Sequence, residues 1–250
     1  AFMIVVAIFF YRSNQMHKKK VREEEVMKSL KREDIVTIHE VIKESSDQIA
    51  NIVKKSNGIF SGVISGLSLQ DLPSLKENKK AIKKLEKQVD ELKSNVYYFI
   101  KNLDETSVEA SKFYILILGY LQDMTQSLSY ITLNSHSHID NNHKQLKFNQ
   151  TRDLKSVELH ILELFKDIEN IFDNKDFDNI DKILAEKEDV LNKISELIQK
   201  QIERIRTTEN SPKNSKLYFG LLLETNDLIK ATMNLLELFK EFNEYANKKK

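Results

Sequence analysis

The side chains with the most chemistry to offer are bunched in NSHSHIDNNH, where His136, His138, Asp140 and His143 lie within a few residues of one another. Imidazole nitrogens and a carboxylate are ligands that suit zinc or iron. A metal shell needs its donors aimed at one point. This tract reads as a polar loop, and no second cluster of histidine or acid stands ready to complete the shell, so a solvated turn is the simpler expectation. His39 followed by Glu40 invites comparison with the phospho-accepting helix of a sensor kinase, but no nucleotide-binding segment follows. Serines, histidines and aspartates are scattered without a nucleophile motif behind them. The chain has no cysteine, which excludes disulfides and thiolate metal sites. Neither an enzyme nor a cofactor is expected.

Chemistry of any kind here must be positioned by helices. Only 5 glycines and 2 prolines punctuate 250 residues, and 31% of the residues are charged, a balance found in long amphipathic helices. The net charge of +1 gives no excess for a polyanion, so nucleic acid is not an expected partner. Ile82, Leu85, Val89, Leu92, Val96, Phe99 and Leu103 alternate steps of three and four, the seam of a long helix packed lengthwise on neighbours. Ile117, Leu121, Met124, Leu128 and Ile131 repeat that rhythm behind FYILILGYL, which is apolar all round and predicts a central helix. The expected helices span 34–66, 71–104, 108–135, 152–173, 177–207 and 212–246. The breaks fall at SLQDLP, LDETS, NSHSHIDNNHK, DNKDFDN and TTENSPKNS. No strand precedes a glycine-rich phosphate loop, which removes the Rossmann and P-loop options. Gly58, Gly62 and Gly66 lie four apart, so on a helix they form a smooth strip that lets another backbone approach. Packing inside the bundle and docking against a membrane portion are both expected uses of that strip.

The first residues, AFMIVVAIFFYRSNQMHKKKVR, pose a separate question. A secretory signal carries its positive charges before the apolar run and a small-residue cleavage site after it; here the order is reversed. A buried core segment would also suit a run of this length. The favoured expectation is the final half of a transmembrane helix over residues 1–11, with Phe2, Ile4, Phe9, Phe10 and Tyr11 as the membrane anchor. Arg12, Lys18, Lys19, Lys20 and Arg22 then mark a cytoplasmic exit by the positive-inside rule, in a basic juxtamembrane stretch over residues 12–33.

An internal repeat organises the remainder. At a constant offset, Glu105 matches Glu209, Ser107 matches Ser211, and Ser111 and Lys112 match Ser215 and Lys216. Tyr114 matches Tyr218, Leu118 matches Leu222, and Asp123 matches Asp227. Both copies open the third helix of a trio, where serine and glutamate suit a helix N-terminus. Two convergent helix starts would give the same matches; the favoured reading is an all-α chain of two three-helix repeats, 34–145 and 146–250, behind the end of a membrane span.

That arrangement resembles the PhoU-like domains, which pair two similar three-helix bundles. LDETSVEASKFYILILGYLQDMTQSL, HIDNNHKQLKFNQTRDL and ENSPKNSKLYFGLLLETNDLIKATMNLLEL are similar to the cytoplasmic C-terminal region of bacterial inorganic phosphate transporters of the PiT type. The resemblance implies a regulatory or accessory region in the cytoplasm at the inner membrane. Its partner would be the transmembrane transporter portion of the same chain, with a homodimer as a further option. PhoU proteins often carry an E-x-x-x-D pair in the third helix of each repeat to hold metal. Here Asp123 and Asp227 remain, but Gly119 and Leu223 stand four residues earlier and cannot ligate through their side chains. Glu224 is nearby at another spacing, so a metal is not expected. A membrane-tethered signalling coiled coil without catalytic activity is the alternative reading.

Overall fold

The computed structural model describes residues 37–103, 108–207 and 211–248. Among them the chain is all-helical, with no β-strand. Six long helices carry the architecture. They are α1 (Ile38–Leu69), α2 (Leu72–Lys101), α3 (Val108–Asp140), α4 (Phe148–Asn174), α6 (Lys187–Thr207) and α7 (Pro212–Lys248). A single 3-10 turn (Phe177–Asn179) and the short α5 (Ile180–Ala185) lie between α4 and α6.

Local chemistry explains most of the boundaries. Thr37 and Glu40 form a reciprocal capping box at the start of α1: the Thr37 backbone N–H donates to Glu40 Oε2 at 2.7 Å, and the Glu40 N–H donates to Thr37 Oγ1 at 3.4 Å. Glu40 is thereby a capping residue, with its carboxyl held below the usual range first by the Thr37 backbone bond, and His39 beside it is exposed. Gln70 ends α1 in the left-handed region at φ 55°. Asp71 then caps α2 by accepting from the Ser74 N–H at 3.1 Å. Ser211 caps α7 through the Asn214 N–H at 3.4 Å. Ser107, which matches Ser211 in the sequence, lies outside the described residues.

Two boundaries differ from expectation. The tract NSHSHID is not a loop but the last turns of α3, because Ser135, His136 and His138 are buried there and their environment outweighs their polarity. The segment 177–207 is not one helix. Phe177 turns inward, its ring centroid 4.9 Å from Phe239 and 5.7 Å from Phe172, and Ile180 and Ile183 are buried behind it. Anchoring these three residues breaks the chain before α6 begins.

The core is one connected cluster drawn from every long helix. The most extensive contact is between α3 and α7, followed by α2 on α3 and α1 on α4; α6 packs on α7, and α1 also lies against α2 and α3. Phe113 stacks on Phe242 with centroids 4.9 Å apart, while Tyr130 lies beside Gly220. Contacts that advance along α3 as they retreat along α7 make this pair antiparallel. The pair α1–α4 is antiparallel by the same reasoning: Ser46 Oγ donates to the Phe172 carbonyl at 3.5 Å, and Ser61 Oγ to Glu158 Oε1 at 2.8 Å. The seam of α2 is buried at Leu75, Ile82, Leu85 and Val89, then only half-buried at Leu92, Val96 and Phe99. FYILILGYL is likewise not enclosed all round, since Ile115 and Leu116 reach solvent while Tyr114, Ile117 and Leu118 are buried. Among the described residues, no helix is long and apolar enough to cross a membrane. The apolar anchor residues Phe2, Ile4, Phe9, Phe10 and Tyr11, and the basic residues Arg12 to Arg22, lie outside the described residues.

Candidate functional site

The register of the α3–α7 pair brings the sequence-selected acids together. With Tyr130 beside Gly220 and Phe113 on Phe242, Asp123 and Asp227 fall on facing stretches of the two helices. On α3, Tyr120, Asp123 and Ser127 share one face by their spacing of three and four; on α7, Glu224, Asp227 and Ala231 do the same. Together they line a groove of about 490 Å3. Asp123 and Asp227 are exposed at its rim. Glu224 sits deeper, and burial pushes its carboxyl above the usual range, with Asp227 adding to the rise and a hydrogen bond from Ser127 opposing it. Among the described residues, Lys230 supplies the one cation in its lining. The groove is therefore rich in acceptors, open to solvent and suited to donor or cationic groups of a docking surface.

It does not fit a multinuclear carboxylate cluster. Among the described residues, no three histidine or acidic side chains stand close enough to hold a metal ion. Gly119 offers no side chain, Leu223 is an exposed apolar residue, and Gln122 is drawn toward α2, where its Oε1 accepts from Lys93 Nζ.

The histidine tract does not converge either. His136 and His138 are two residues apart on α3, hence about 200° apart around its axis. His136 faces α2, where burial first and Lys79 second hold its ring below the usual imidazole range. His138 faces the other way and meets His143, with ring centroids 5.1 Å apart. Its Nε2 donates to the Lys144 carbonyl at 2.9 Å, and burial again lowers its affinity for a proton. Asp140 is exposed.

The three glycines also separate. A Cβ on Gly62 would lie 2.5 Å from Asn78 Oδ1, and one on Gly66 would lie 3.0 Å from Leu75 Cγ. Both therefore admit α2 to close approach with α1. Gly58 is exposed and meets nothing within 4 Å.

Two features were not singled out from the sequence. Asp153 of α4 is buried and accepts from Arg204 Nη2 of α6 at 2.7 Å and from the Tyr218 hydroxyl of α7 at 3.3 Å. This knot ties three helices, and nothing in sequence spacing joins its members. Buried threonines on α3 and α7 bond back to their own helices, Thr125 and Thr132 to Leu121 and Leu128, Thr225 and Thr232 to Leu221 and Leu228. Their signal was present as the shared pattern L-x-x-x-T-x-x-L-x-x-x-T. No protein-family model and no curated protein matches the chain.

Proposed function

We propose that the chain is the cytoplasmic regulatory or accessory region of an inorganic phosphate transporter, built from two PhoU-like three-helix repeats behind the last membrane span. The observation that carries the duplication is burial. The order of buried and exposed positions in α3 from Glu109 to Asp140 recurs at most positions in α7 from Lys213 to Glu244, and no buried position of one is exposed in the other. Tyr114 and Tyr218 are both buried, and Asp123 and Asp227 are both exposed. Like-for-like pairing of third helix with third and first with first fits two repeats related by a local two-fold axis. A signalling rod would instead run one heptad pattern through a long hairpin.

The apolar residues before Arg12 and the lysines after it support a tether at the inner membrane. The acidic groove between α3 and α7 would dock on the basic cytoplasmic face of the membrane portion, where lysine and arginine accumulate, and so bias transport. The test is uptake of radiolabelled phosphate by cells making the whole transporter or one ending at Arg22. Removal of residues 23–250 should leave the protein in the membrane and change uptake several-fold. Unchanged uptake, or a whole product that does not fractionate with membranes, removes the reading.

A further inference from the structure

Beyond the acidic groove along the α3–α7 seam lies a second cavity of about 170 Å3 with the opposite polarity. Tyr130 borders both. Asn134, Ser137 and His138 of α3, His143 of the following loop, and Lys213 and Lys216 of α7 form its polar walls, and among the described residues no carboxylate lines it. We propose that this cavity binds inorganic phosphate, held between Lys213 and Lys216 of α7 on one side and His138, at the end of α3, and His143, in the loop that follows, on the other. The proposal deepens the transport reading, on which it rests for the meaning of the signal but not for the chemistry of the site.

Lys213 and Lys216 are three residues apart in the first turns of α7, so their ammonium groups extend from one face. Ammonium–oxyanion hydrogen bonds are charge-assisted and among the stronger ones. The positive end of the α7 dipole lies beside them and adds to the same potential. A water takes about 30 Å3 of liquid volume, so the cavity admits a tetrahedral oxyanion with waters completing its shell.

His138 narrows the choice of oxyanion. A carbonyl only accepts, so the 2.9 Å bond to the Lys144 oxygen places a proton on Nε2; burial favours the neutral ring, and a neutral ring protonated there keeps its lone pair on Nδ1. His138 is only 5% exposed and lines the cavity; in the proposed site its Nδ1 is the acceptor that the bound anion meets, beside the donor-only ammonium groups of Lys213 and Lys216. Phosphate at neutral pH keeps a P–OH that can donate to it; sulfate has none. A site that hydrogen-bonds a ligand hydroxyl discriminates strongly against the analogue lacking it.

Titration calorimetry on the 250-residue chain with inorganic phosphate, sulfate and soluble dihexanoyl phosphatidic acid tests this. Saturable phosphate binding is expected, with sulfate at least about tenfold weaker. Lys213→Gln with Lys216→Gln should weaken phosphate about tenfold or more through loss of two charged donors. Both lysines are exposed, so an unchanged melting temperature without phosphate will show that this variant folds. Lys83→Gln with Lys84→Gln on α2 makes the same charge change and should bind as the parent does. Absence of saturable phosphate binding, equal affinity for sulfate, or full binding by the Lys213/Lys216 variant overturns the site. Tighter binding of the soluble lipid than of free phosphate overturns the choice of a free anion. If phosphate binds as expected but uptake is indifferent to removal of residues 23–250, the site stands and the transport reading falls.

Discussion

Asp153, Arg204 and Tyr218 are the residues whose individual loss should be felt most. The Asp153 carboxylate is 7% exposed and its main cation is Arg204; removing one member of such a pair strands a buried charge. Arg204→Ala should destabilise the fold by about 3–5 kcal/mol, and Tyr218→Phe by about 1 kcal/mol, the typical worth of one hydrogen bond. Urea unfolding measures both; a change under about 0.5 kcal/mol for Arg204→Ala would make the knot an incidental contact. Tyr114 has no such partner knot and stacks instead on Phe99, with centroids 4.2 Å apart. Burial first, and then the charge of Glu44, push its hydroxyl from the ordinary 10.0 to about 12. Between those values the folded chain binds more protons than the unfolded one, so stability falls as pH rises through that window. Tyr114→Phe keeps the stacking and should flatten this alkaline loss in thermal melts between pH 9 and 12. An unaltered slope would place the alkaline sensitivity elsewhere.

At the scale of elements, the α1–α2 contact turns on the glycine strip. Alanine at Gly58 meets open space and should stabilise α1 by about 0.5–1 kcal/mol, the helix-propensity difference. Alanine at Gly66 presses on Leu75, a fully buried residue, and overpacking of that kind costs about 1–3 kcal/mol. Gly62 faces the end of the Asn78 side chain, which can rotate away once its bond to the Ser74 carbonyl is released, so its alanine variant should fall between the two. The order Gly58→Ala above Gly62→Ala above Gly66→Ala in melting temperature is the expected outcome. Any other order would mean that α2 is not pressed against this strip.

At the scale of the whole molecule, the halves are not independent bodies. The largest helix contact, α3 on α7, and the contact of α1 on α4 both cross the midpoint of the chain, and the buried cluster is continuous across it. A single cooperative unfolding transition is therefore expected for the described region, seen alike by circular dichroism and by tyrosine fluorescence. A chain ending at residue 145 leaves the inner faces of α1 and α3 uncovered, and exposed apolar patches of that size promote aggregation. It should be recovered mostly as insoluble material. A soluble, monomeric and cooperatively folded 34–145 fragment would show each trio to be self-sufficient.

The helical class, the number of long helices and nearly all their breaks were legible in the sequence because periodicity and capping are local. Ile82, Leu85 and Val89 announce their buried face by spacing alone, and the SLQDLP break falls where Gln70 and Asp71 end one helix and cap the next. Asp123 and Asp227 were picked out by the surroundings they share in sequence, and both line one groove. What spacing could not give is which surfaces meet. The histidines at the end of α3 read as loop because their polarity was visible and their burial was not. Phe177 broke a predicted helix because Phe239, far along the chain, was waiting for it beside Phe172. The acidic groove and the lysine–histidine cavity exist only because α3 and α7 run antiparallel in one register. Each helix supplies a face by its own periodicity, but a cavity needs two faces, and only packing of the whole core selects the pair.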